Sequence, residues 1–330
     1  MKVMVLGGSG NISTSIVKLL VEHNHEVVCY NRGMNKGEGT PDVVRQIHGD
    51  RQKRDEFEKM MQEENPDAVI DMICFGAEDA ESDLRAFPNV KRLIVCSTVC
   101  VFGTYMTSFP VMADDERRPT SEYGSGKRDV EDVLNRAIEE NLIPITMIRP
   151  SSTYGNQSGL FGSVGPNHSW IERIQEGKPI FVCGSGNNLH QFMHVSDMAK
   201  AFVMILENDI AIGKTYNVVS ETTTDWNHYS KLAMKIIGKE VPVIGVPLDL
   251  LEALGEENFG HACPIFAFNS YFDNSLLKRD FPEFKQDVSL EDGMRQVIAW
   301  NQENKPEKVA YNEELFDKLA EGMLGLRNLL

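Results

Sequence analysis

A glycine-rich turn near the N-terminus constrains the fold more than any other feature of this chain. The apolar segment 3–6 leads directly into Gly7-Gly8-Ser9-Gly10, and a stretch with helical spacing of its apolar residues follows. A strand, a tight turn and a helix in this order place free backbone N–H groups where a pyrophosphate can bind, whereas a plain strand-to-helix connection is the alternative. The turn predicts a dinucleotide-binding site that includes Gly7, Ser9, Gly10, Asn11 and Ile12.

Apolar strand-like segments alternate with amphipathic helix-like segments through the first half of the chain. The strand candidates cover residues 2–6, 26–30, 44–48, 68–73, 92–96 and 145–148. Strands that alternate with helices favour a parallel sheet with helices on both faces, and such strands are apolar along most of their length. The pattern predicts an α/β fold built on a Rossmann-type doubly wound parallel sheet.

The second half of the chain differs in composition. Residues 151–190 are rich in glycine, serine and asparagine, and a strand candidate at 215–219 is predicted to return to the sheet. The chain closes with an amphipathic helix candidate at 313–330, which we expect to pack on its own chain. The predicted domains are a dinucleotide-binding domain, 1–155 with about 191–220, and a smaller, mostly helical substrate domain, 156–190 with 221–330.

Tyr123 and Lys127 are four residues apart, which places them on one face of a helix. A tyrosine beside a cation can release its proton near neutral pH, because positive charge favours the phenolate. Ser97 and Thr98 follow the fifth strand candidate, where a hydroxyl can bind the same substrate oxygen; a loop-capping threonine is the alternative. We predict Thr98, Tyr123 and Lys127 as catalytic residues, and Lys127 also as a cofactor contact.

The end of the second strand candidate carries no carboxylate. NAD sites usually place an acid there for the ribose diol, whereas a nearby arginine accommodates the 2′-phosphate of NADP. Asn31 and Arg32 stand at this point, so within an NAD(P) site the sequence favours NADP; an Arg32 that stacks on adenine or faces solvent is the alternative. Asp50 and Arg51 follow the third strand candidate and are predicted near the adenine, with a loop-capping Asp50 as the alternative.

Composition restricts the possible partners. The chain of 330 residues has a net charge of −16, whereas nucleic acids and anionic membranes select basic surfaces. No apolar run approaches the roughly 18 residues that span a bilayer, so we expect no membrane partner and no cleaved leader. The six cysteines and eight histidines form no convincing ligand cluster, and we predict no metal and a cytoplasmic protein with free thiols.

Five motifs follow one another along the chain: Gly7-x-x-Gly10, Thr98 to Gly103, Tyr123-x-x-x-Lys127, Arg149-Pro150 with Tyr154-Gly155, and His194 to Asp197. Together they resemble the extended short-chain dehydrogenase/reductases, the NAD(P)-dependent epimerases and dehydratases of sugars and sugar nucleotides. The resemblance covers essentially the whole chain. It implies a two-domain enzyme, frequently a homodimer, and assigns the catalytic hydroxyl to Thr98, five residues before Gly103.

The chain departs from this family at three places. Val99-Cys100 stands where the dehydratases carry an Asp-Glu acid–base pair, which disfavours 4,6-dehydration. His190 replaces an arginine that grips the diphosphate, and Ser152 replaces an asparagine, so the case for a UDP-sugar is weaker. Segments around Trp170 and Trp226 look closer to a less characterised branch, which also resembles chloroplast RNA-associated relatives of the epimerases. The predicted substrate contacts are Ser152, Thr153, Trp170, His190 and Gln191.

The predicted activity is that of an NAD(P)-dependent epimerase or oxidoreductase that acts on a sugar or sugar nucleotide through a transient ketone. Tyr123 takes the proton of a substrate hydroxyl while a hydride passes to the nicotinamide. One alternative is an NADP-dependent dehydrogenase or reductase of a free sugar or another carbonyl compound. Another is a non-catalytic dinucleotide sensor or RNA-associated regulator, which the presence of both Tyr123 and Lys127 disfavours. The substrate and its reacting carbon stay open.

Overall fold

The chain folds into two units, and each unit is assembled from three segments. The computed structural model describes residues 1–34, 39–255, 263–307 and 310–327. The first unit comprises Met1–Thr153, Met193–Glu221 and Phe272–Asp287, and the second comprises Tyr154–Phe192, Thr222–Tyr271 and Val288–Leu330. The predicted substrate domain had included residues 272–287, which the structure groups with the first unit instead.

Strands and helices alternate along the first half of the chain, as the sequence pattern predicts, and the elements of both units have the following bounds. The strands are β1 (Lys2–Leu6), β2 (Glu26–Asn31), β3 (Arg45–His48), β4 (Ala68–Asp71), β5 (Arg92–Cys96), β6 (Ile145–Pro150), β7 (Ser152–Tyr154), β8 (Ile180–Cys183), β9 (Leu189–His190), β10 (Phe192–His194), β11 (Thr215–Val218), β12 (Thr224–Asp225) and β13 (Val243–Val246). The helices are α1 (Asn11–Glu22), α2 (Arg54–Glu64), α3 (Ala77–Ala86), α4 (Glu122–Glu139), α5 (Ser169–Glu176), α6 (Val195–Leu206), α7 (Trp226–Ile237), α8 (Leu248–Leu254), α9 (Cys263–Phe266), α10 (Ser275–Asp280), α11 (Leu290–Asn304) and α12 (Glu313–Arg327). Within the described residues, none of these helices combines the length and the apolar character needed to cross a membrane.

Seven strands form one sheet in the first unit. Their order is β11-β6-β5-β4-β1-β2-β3, and every neighbouring pair is parallel. Chain progression reverses between β1 and β4, and doubly wound sheets bind ligands beyond the carboxyl ends of the strands at such a point. The predicted fold class is confirmed, and so is the return of the strand near residue 215 to the sheet.

The apolar strands are explained by burial on both faces of this sheet. Val3 and Val5 of β1 pack into one core with α1 and α6, whereas Met4 and Leu6 pack into a second core with α2, α3 and α4. All four side chains are fully buried. Because neighbouring residues of a strand point to opposite faces, a sheet covered twice requires apolar residues at every position.

The second unit is mostly helical, with two short strand pairs: β8 with β13, parallel, and β9 with β12, antiparallel. The helix predicted at 313–330 is present as α12, and residues 328–330 lie outside the described part of the chain. Phe316 and Ala320 of α12 are buried against Phe181 and Ile244 of the same unit. The apolar stripe of this helix is therefore covered by its own chain.

Candidate active site

The glycine turn between β1 and α1 is packed too tightly to accept side chains. Gly7 has a φ of +79°, and a Cβ at this position would lie 2.5 Å from Cγ2 of Ile73. The turn is closed by Ser13, whose Oγ accepts the N–H of Gly10 at 2.8 Å and donates to the carbonyl of Gly7 at 2.7 Å. Ser13 occupies the position of the third glycine in the usual dinucleotide pattern, and its hydrogen bonds fix the turn.

The N-terminus of α1 is suited to bind an anion. Gly10 caps the helix without a side chain, and the first turn carries no acidic residue. The unsatisfied N–H groups and the positive end of the helix dipole therefore face a site without a competing carboxylate. These features fit the pyrophosphate of a dinucleotide.

A cavity of about 370 Å³ adjoins the turn in the first unit. Seven of the predicted cofactor residues line it: Gly7, Ser9, Gly10, Asn31, Arg32, Asp50 and Arg51. Asn11 and Ile12 do not line it; Ile12 instead packs partly buried against the core. The glycine turn and the ends of β2 and β3 are thus brought together at the carboxyl edge of the sheet, where the sequence predicts them.

The end of β2 presents an arginine and no carboxylate to this cavity. Asn31 is buried, and its Oδ1 accepts the N–H of Gly33 at 2.8 Å while its Nδ2 donates to Gln46 at 2.9 Å. Arg32 is exposed and forms no ion pair with any residue that the structure describes. Its guanidinium is therefore available to a ligand in the cavity.

Arg51 lines the cavity and also forms ion pairs inside the first unit. Its guanidinium is buried, with Nη1 2.6 Å from Oδ2 of Asp71 and Nη2 2.9 Å from Oδ1 of Asp83. Both carboxyl groups are fully buried, and the guanidinium compensates the negative charge of the pair. Arg51 thus has a structural role inside the unit, and its contact with adenine stays a prediction. Burial raises the pKa of Asp83 well above its usual range, with the neighbouring Asp71 adding to the rise and Arg51 opposing it.

Tyr123 and Lys127 lie on the first turns of α4, as their spacing predicts. The helix begins after Ser121, whose hydroxyl accepts the N–H of Gly124 at 3.1 Å. Lys127 is only 1 % exposed, and its Nζ donates to the carbonyl of Cys96 at 2.6 Å and lies 5.8 Å from the Tyr123 ring centroid. The ammonium is thus anchored at the end of β5, beside the tyrosine.

Thr98 is the hydroxyl available to this pair. It caps the short 3₁₀ turn Val99–Phe102, and its Oγ1 accepts the N–H of Cys100 at 3.2 Å. The neighbouring Ser97 is committed elsewhere, because its hydroxyl donates to Glu131 at 2.5 Å, and Glu131 is also held by two hydrogen bonds from Arg149. Of the two hydroxyls after β5, Thr98 is therefore the one whose proton is not donated to a buried carboxylate.

The pKa of Tyr123 is higher than its predicted role assumes. The residue is 49 % exposed as a whole, yet burial of its phenol end is the largest cause of a raised pKa. The thiols of Cys96 and Cys100 add to the rise, and a hydrogen bond with Thr98 opposes it. The surroundings of the phenol in this structure therefore do not favour the predicted release of its proton near neutral pH.

Two glycines in α4 allow the site to close around the Tyr–Lys pair. A Cβ at Gly124 would lie 2.6 Å from the carbonyl oxygen of Cys100, and one at Gly126 would lie 2.4 Å from the carbonyl oxygen of Phe75. Each glycine costs a helix about 1 kcal/mol relative to alanine. Their positions let the turn that carries Thr98 and the loop that carries Phe75 pack directly on the helix.

Of the five predicted substrate contacts, one is partly exposed and four are buried. Ser152 is partly exposed and Thr153 and Gln191 are buried. Trp170 is buried with its Nε1 donating to the carbonyl of Leu160 at 3.2 Å, and the His190 ring centroid lies 4.9 Å from that of Trp226. Trp170 and His190 therefore pack in the aromatic core of the second unit, and their contact with a substrate stays a prediction.

The burial of His190 predicts a loss of stability in mild acid. Burial lowers the pKa of His190 from 6.5 to about 4, against a small opposing effect of the Phe266 carbonyl. Below pH 6.5 the unfolded chain takes up a proton that the folded one does not, so stability falls as the pH decreases towards 4. For His190 alone the expected loss between pH 7.5 and pH 5 is about 2 kcal/mol.

Urea unfolding at several pH values measures this loss. The His190→Gln variant should show a weaker dependence of its unfolding free energy on pH than the wild type. His228 is exposed, so the His228→Gln variant is the matched control and should follow the wild type. An unchanged dependence in His190→Gln would assign the effect to another group.

The parallel sheet, the anion-binding helix end and the tyrosine–lysine pair define a Rossmann-type enzyme that uses a nicotinamide dinucleotide. More narrowly, the chain belongs to the NAD dependent epimerase/dehydratase family, whose model matches residues 3–218. The predicted family and the predicted enzyme class are confirmed by this match.

The relatives of this chain include proteins with different named functions, a reductase and a stem-loop binding protein. The chain is 28 % identical over 287 residues to 2′-dehydrokanamycin reductase of Streptomyces kanamyceticus, which covers 87 % of this chain and 80 % of that protein. It is also 28 % identical over 258 residues to the chloroplast stem-loop binding protein of 41 kDa b of Arabidopsis thaliana, 74 % of this chain and 65 % of that protein.

Among solved structures, the fold is similar to the UDP-glucose 4-epimerase of Stenotrophomonas maltophila with bound NAD and formylated UDP-arabinopyranose. That likeness has a TM-score of 0.76 at 20 % identity, and it covers 92 % of this chain and 99 % of the other. The UDP-glucose 4-epimerase of Thermotoga maritima with UDP-glucose gives a TM-score of 0.74 at 20 % identity, with 92 % and 100 % covered. At these identities the likeness concerns the fold.

Proposed function

We propose that the protein is an NADP-dependent oxidoreductase that interconverts a secondary hydroxyl and a ketone on a sugar. The observation that carries this proposal is the position of Lys127 beside Tyr123, with Phe75, which lines the cavity that the glycine turn borders, packed against both. A bound nicotinamide would supply the hydride donor or acceptor at its C4. The residues of the chain then have to bind the substrate oxygen and move one proton.

Each of the three residues has a distinct role in this proposal. Thr98 binds the substrate oxygen and orients it towards Tyr123. The Tyr123 hydroxyl donates its proton to the oxygen of a ketone when the ketone is reduced, and takes it back when the alcohol is oxidised. Lys127, held by the carbonyl of Cys96, supplies the positive charge that stabilises the phenolate left after proton donation.

Two observations favour net reduction over an internal epimerase cycle. His190 lies in the core of the second unit, so this position offers no cation to a substrate diphosphate. The similarity to a reductase of 2′-dehydrokanamycin supports the same conclusion.

An epimerase of a sugar nucleotide is the second candidate, because the solved structures similar in fold include UDP-glucose 4-epimerases. Absorbance of the purified protein near 340 nm, followed by denaturation and identification of the released dinucleotide, separates the two. An enzyme that binds NADPH reversibly and consumes it with a keto sugar fits the proposal. A tightly retained dinucleotide with no net change in its redox state would favour the epimerase.

Arg32 is expected to set the preference for NADP. Replacing it with glutamine removes a charged hydrogen-bond donor to the 2′-phosphate and should weaken NADPH binding about tenfold or more. The dissociation constant of NADH should change less than about twofold, because NADH lacks that phosphate. Titration of protein fluorescence with each dinucleotide measures both constants.

The control for this variant is Arg295→Gln, which removes another exposed arginine, in the second unit. It should leave both affinities unchanged. Equal weakening of NADPH and NADH by Arg32→Gln would show that Arg32 does not recognise the 2′-phosphate. The homodimer and the cytoplasmic location expected from the sequence stay predictions.

A further inference from the structure

Phe75 occupies a place in the site that no sequence motif indicates. It follows β4, lines the cavity beside the glycine turn, and is 53 % exposed. Its ring centroid lies 4.7 Å from Nζ of Lys127 and 6.5 Å from the ring centroid of Tyr123. One aromatic side chain thus contacts both the dinucleotide cavity and the proposed catalytic pair.

The backbone of Phe75 is fixed by two independent contacts. Its N–H donates to Oδ2 of Asp79 at 2.8 Å, and Asp79 is itself paired with Arg54 at 2.5 Å. On the other side, the missing side chain of Gly126 lets the carbonyl of Phe75 approach α4, since a Cβ there would lie 2.4 Å from it. The ring is therefore presented by a rigid support, although half of its surface faces solvent.

The strand order assigns Phe75 to one half of the site. Asn31, Arg32 and Asp50 follow β2 and β3, on one side of β1 in the sheet, whereas Phe75 and Thr98 follow β4 and β5 on the other side. A dinucleotide whose pyrophosphate binds at the glycine turn extends in both directions from it. Its adenosine half then lies towards Arg32, and its nicotinamide half towards Phe75 and the Tyr–Lys pair.

We propose that Phe75 is a specificity-determining residue of the dinucleotide site, which packs its ring against the nicotinamide half and keeps the Lys127 ammonium beneath it. This proposal rests on the proposed function, and it identifies Phe75 as the residue that recognises the nicotinamide half of the cofactor. A half-exposed aromatic ring loses its unfavourable contact with water when a ligand covers it. A ring over an ammonium also attracts the charge and shields it from water.

The test compares two probes that share only the adenosine half: NADPH and 2′,5′-ADP. Phe75→Ala is expected to weaken NADPH binding about tenfold while 2′,5′-ADP binds within twofold of the wild type. Phe75→Tyr keeps the ring and should restore NADPH binding to within twofold. Fluorescence titration gives the constants, and thermal unfolding of each variant checks that the fold is retained.

Leu142→Ala is the matched control, because Leu142 is 54 % exposed and lies between α4 and β6. It should leave both probes unaffected. Equal weakening of NADPH and 2′,5′-ADP in Phe75→Ala, or no weakening of NADPH, would overturn this proposal alone. A wild-type protein that binds neither NADPH nor NADH would overturn the proposed function, and this proposal with it.

Discussion

The Tyr123→Phe variant is expected to turn over about 100- to 10,000-fold more slowly than the wild type while it binds NADPH with unchanged affinity. The substitution removes the hydroxyl that carries the proton and keeps the ring that packs near Phe75. Steady-state rates with a keto sugar, combined with fluorescence titration of NADPH, separate the two effects. A loss confined to turnover identifies Tyr123 as the proton donor.

The dependence of the wild-type rates on pH is a second test of the role of Tyr123. Because the pKa of Tyr123 is raised, reduction should proceed at neutral pH with the phenol protonated. Oxidation of the alcohol needs the phenolate and should accelerate as the pH rises. The control is Tyr271→Phe, a partly buried tyrosine of the second unit, which should retain wild-type rates. A Tyr123→Phe enzyme with more than a tenth of wild-type turnover would mean that another group transfers the proton.

The Arg51→Met variant is expected to lose about 3–5 kcal/mol of its free energy of unfolding. Arg51 is 6 % exposed and is the cation between Asp71 and Asp83, which are fully buried. Methionine fills much of the same volume but removes the cation that compensates the negative charge of this buried pair. Urea unfolding at neutral pH measures the loss.

Arg45→Met is the matched surface control. The side chain of Arg45 is 48 % exposed, and its partner Glu64 is also bound by Lys2, so the expected loss is below about 1 kcal/mol. Combining Arg51→Met with Asp83→Asn removes one carboxyl of the buried group and should recover part of the stability. Equal losses in Arg51→Met and Arg45→Met would contradict the view that the buried cluster depends on Arg51.

Local sequence patterns were sufficient to predict the sheet, the glycine turn and the placement of Tyr123 and Lys127 on one helix. The strand β1 could be predicted because a two-sided core leaves an unbroken apolar run, and the glycine turn because its position after that strand is specific. Tyr123 and Lys127 were placed by helical spacing alone. In each case the signal lies within a few consecutive residues.

The remaining features depend on contacts between distant segments. Arg51 follows β3 with the sequence context of a ligand contact, yet Asp71 and Asp83, far along the chain, bind its guanidinium. His190 and Trp170 are equally suited to a sugar or to an aromatic core, and only the packing of the second unit decides between them. Phe75 is one apolar residue after an apolar strand, so nothing local marks its contact with Lys127.

The way the first unit is assembled also bears on how the protein is made. β11 pairs with β6 from a segment that begins at Met193, and Asp280, in a third segment, accepts hydrogen bonds from Tyr216 at 2.8 Å and Lys214 at 2.7 Å. During synthesis, most of the second unit therefore leaves the ribosome before the segment Phe272–Asp287, which completes the first unit. A shortened gene that stops after residue 153 would leave β6 as an unpaired edge, prone to pair with other chains. No single cut in the gene isolates the dinucleotide-binding unit.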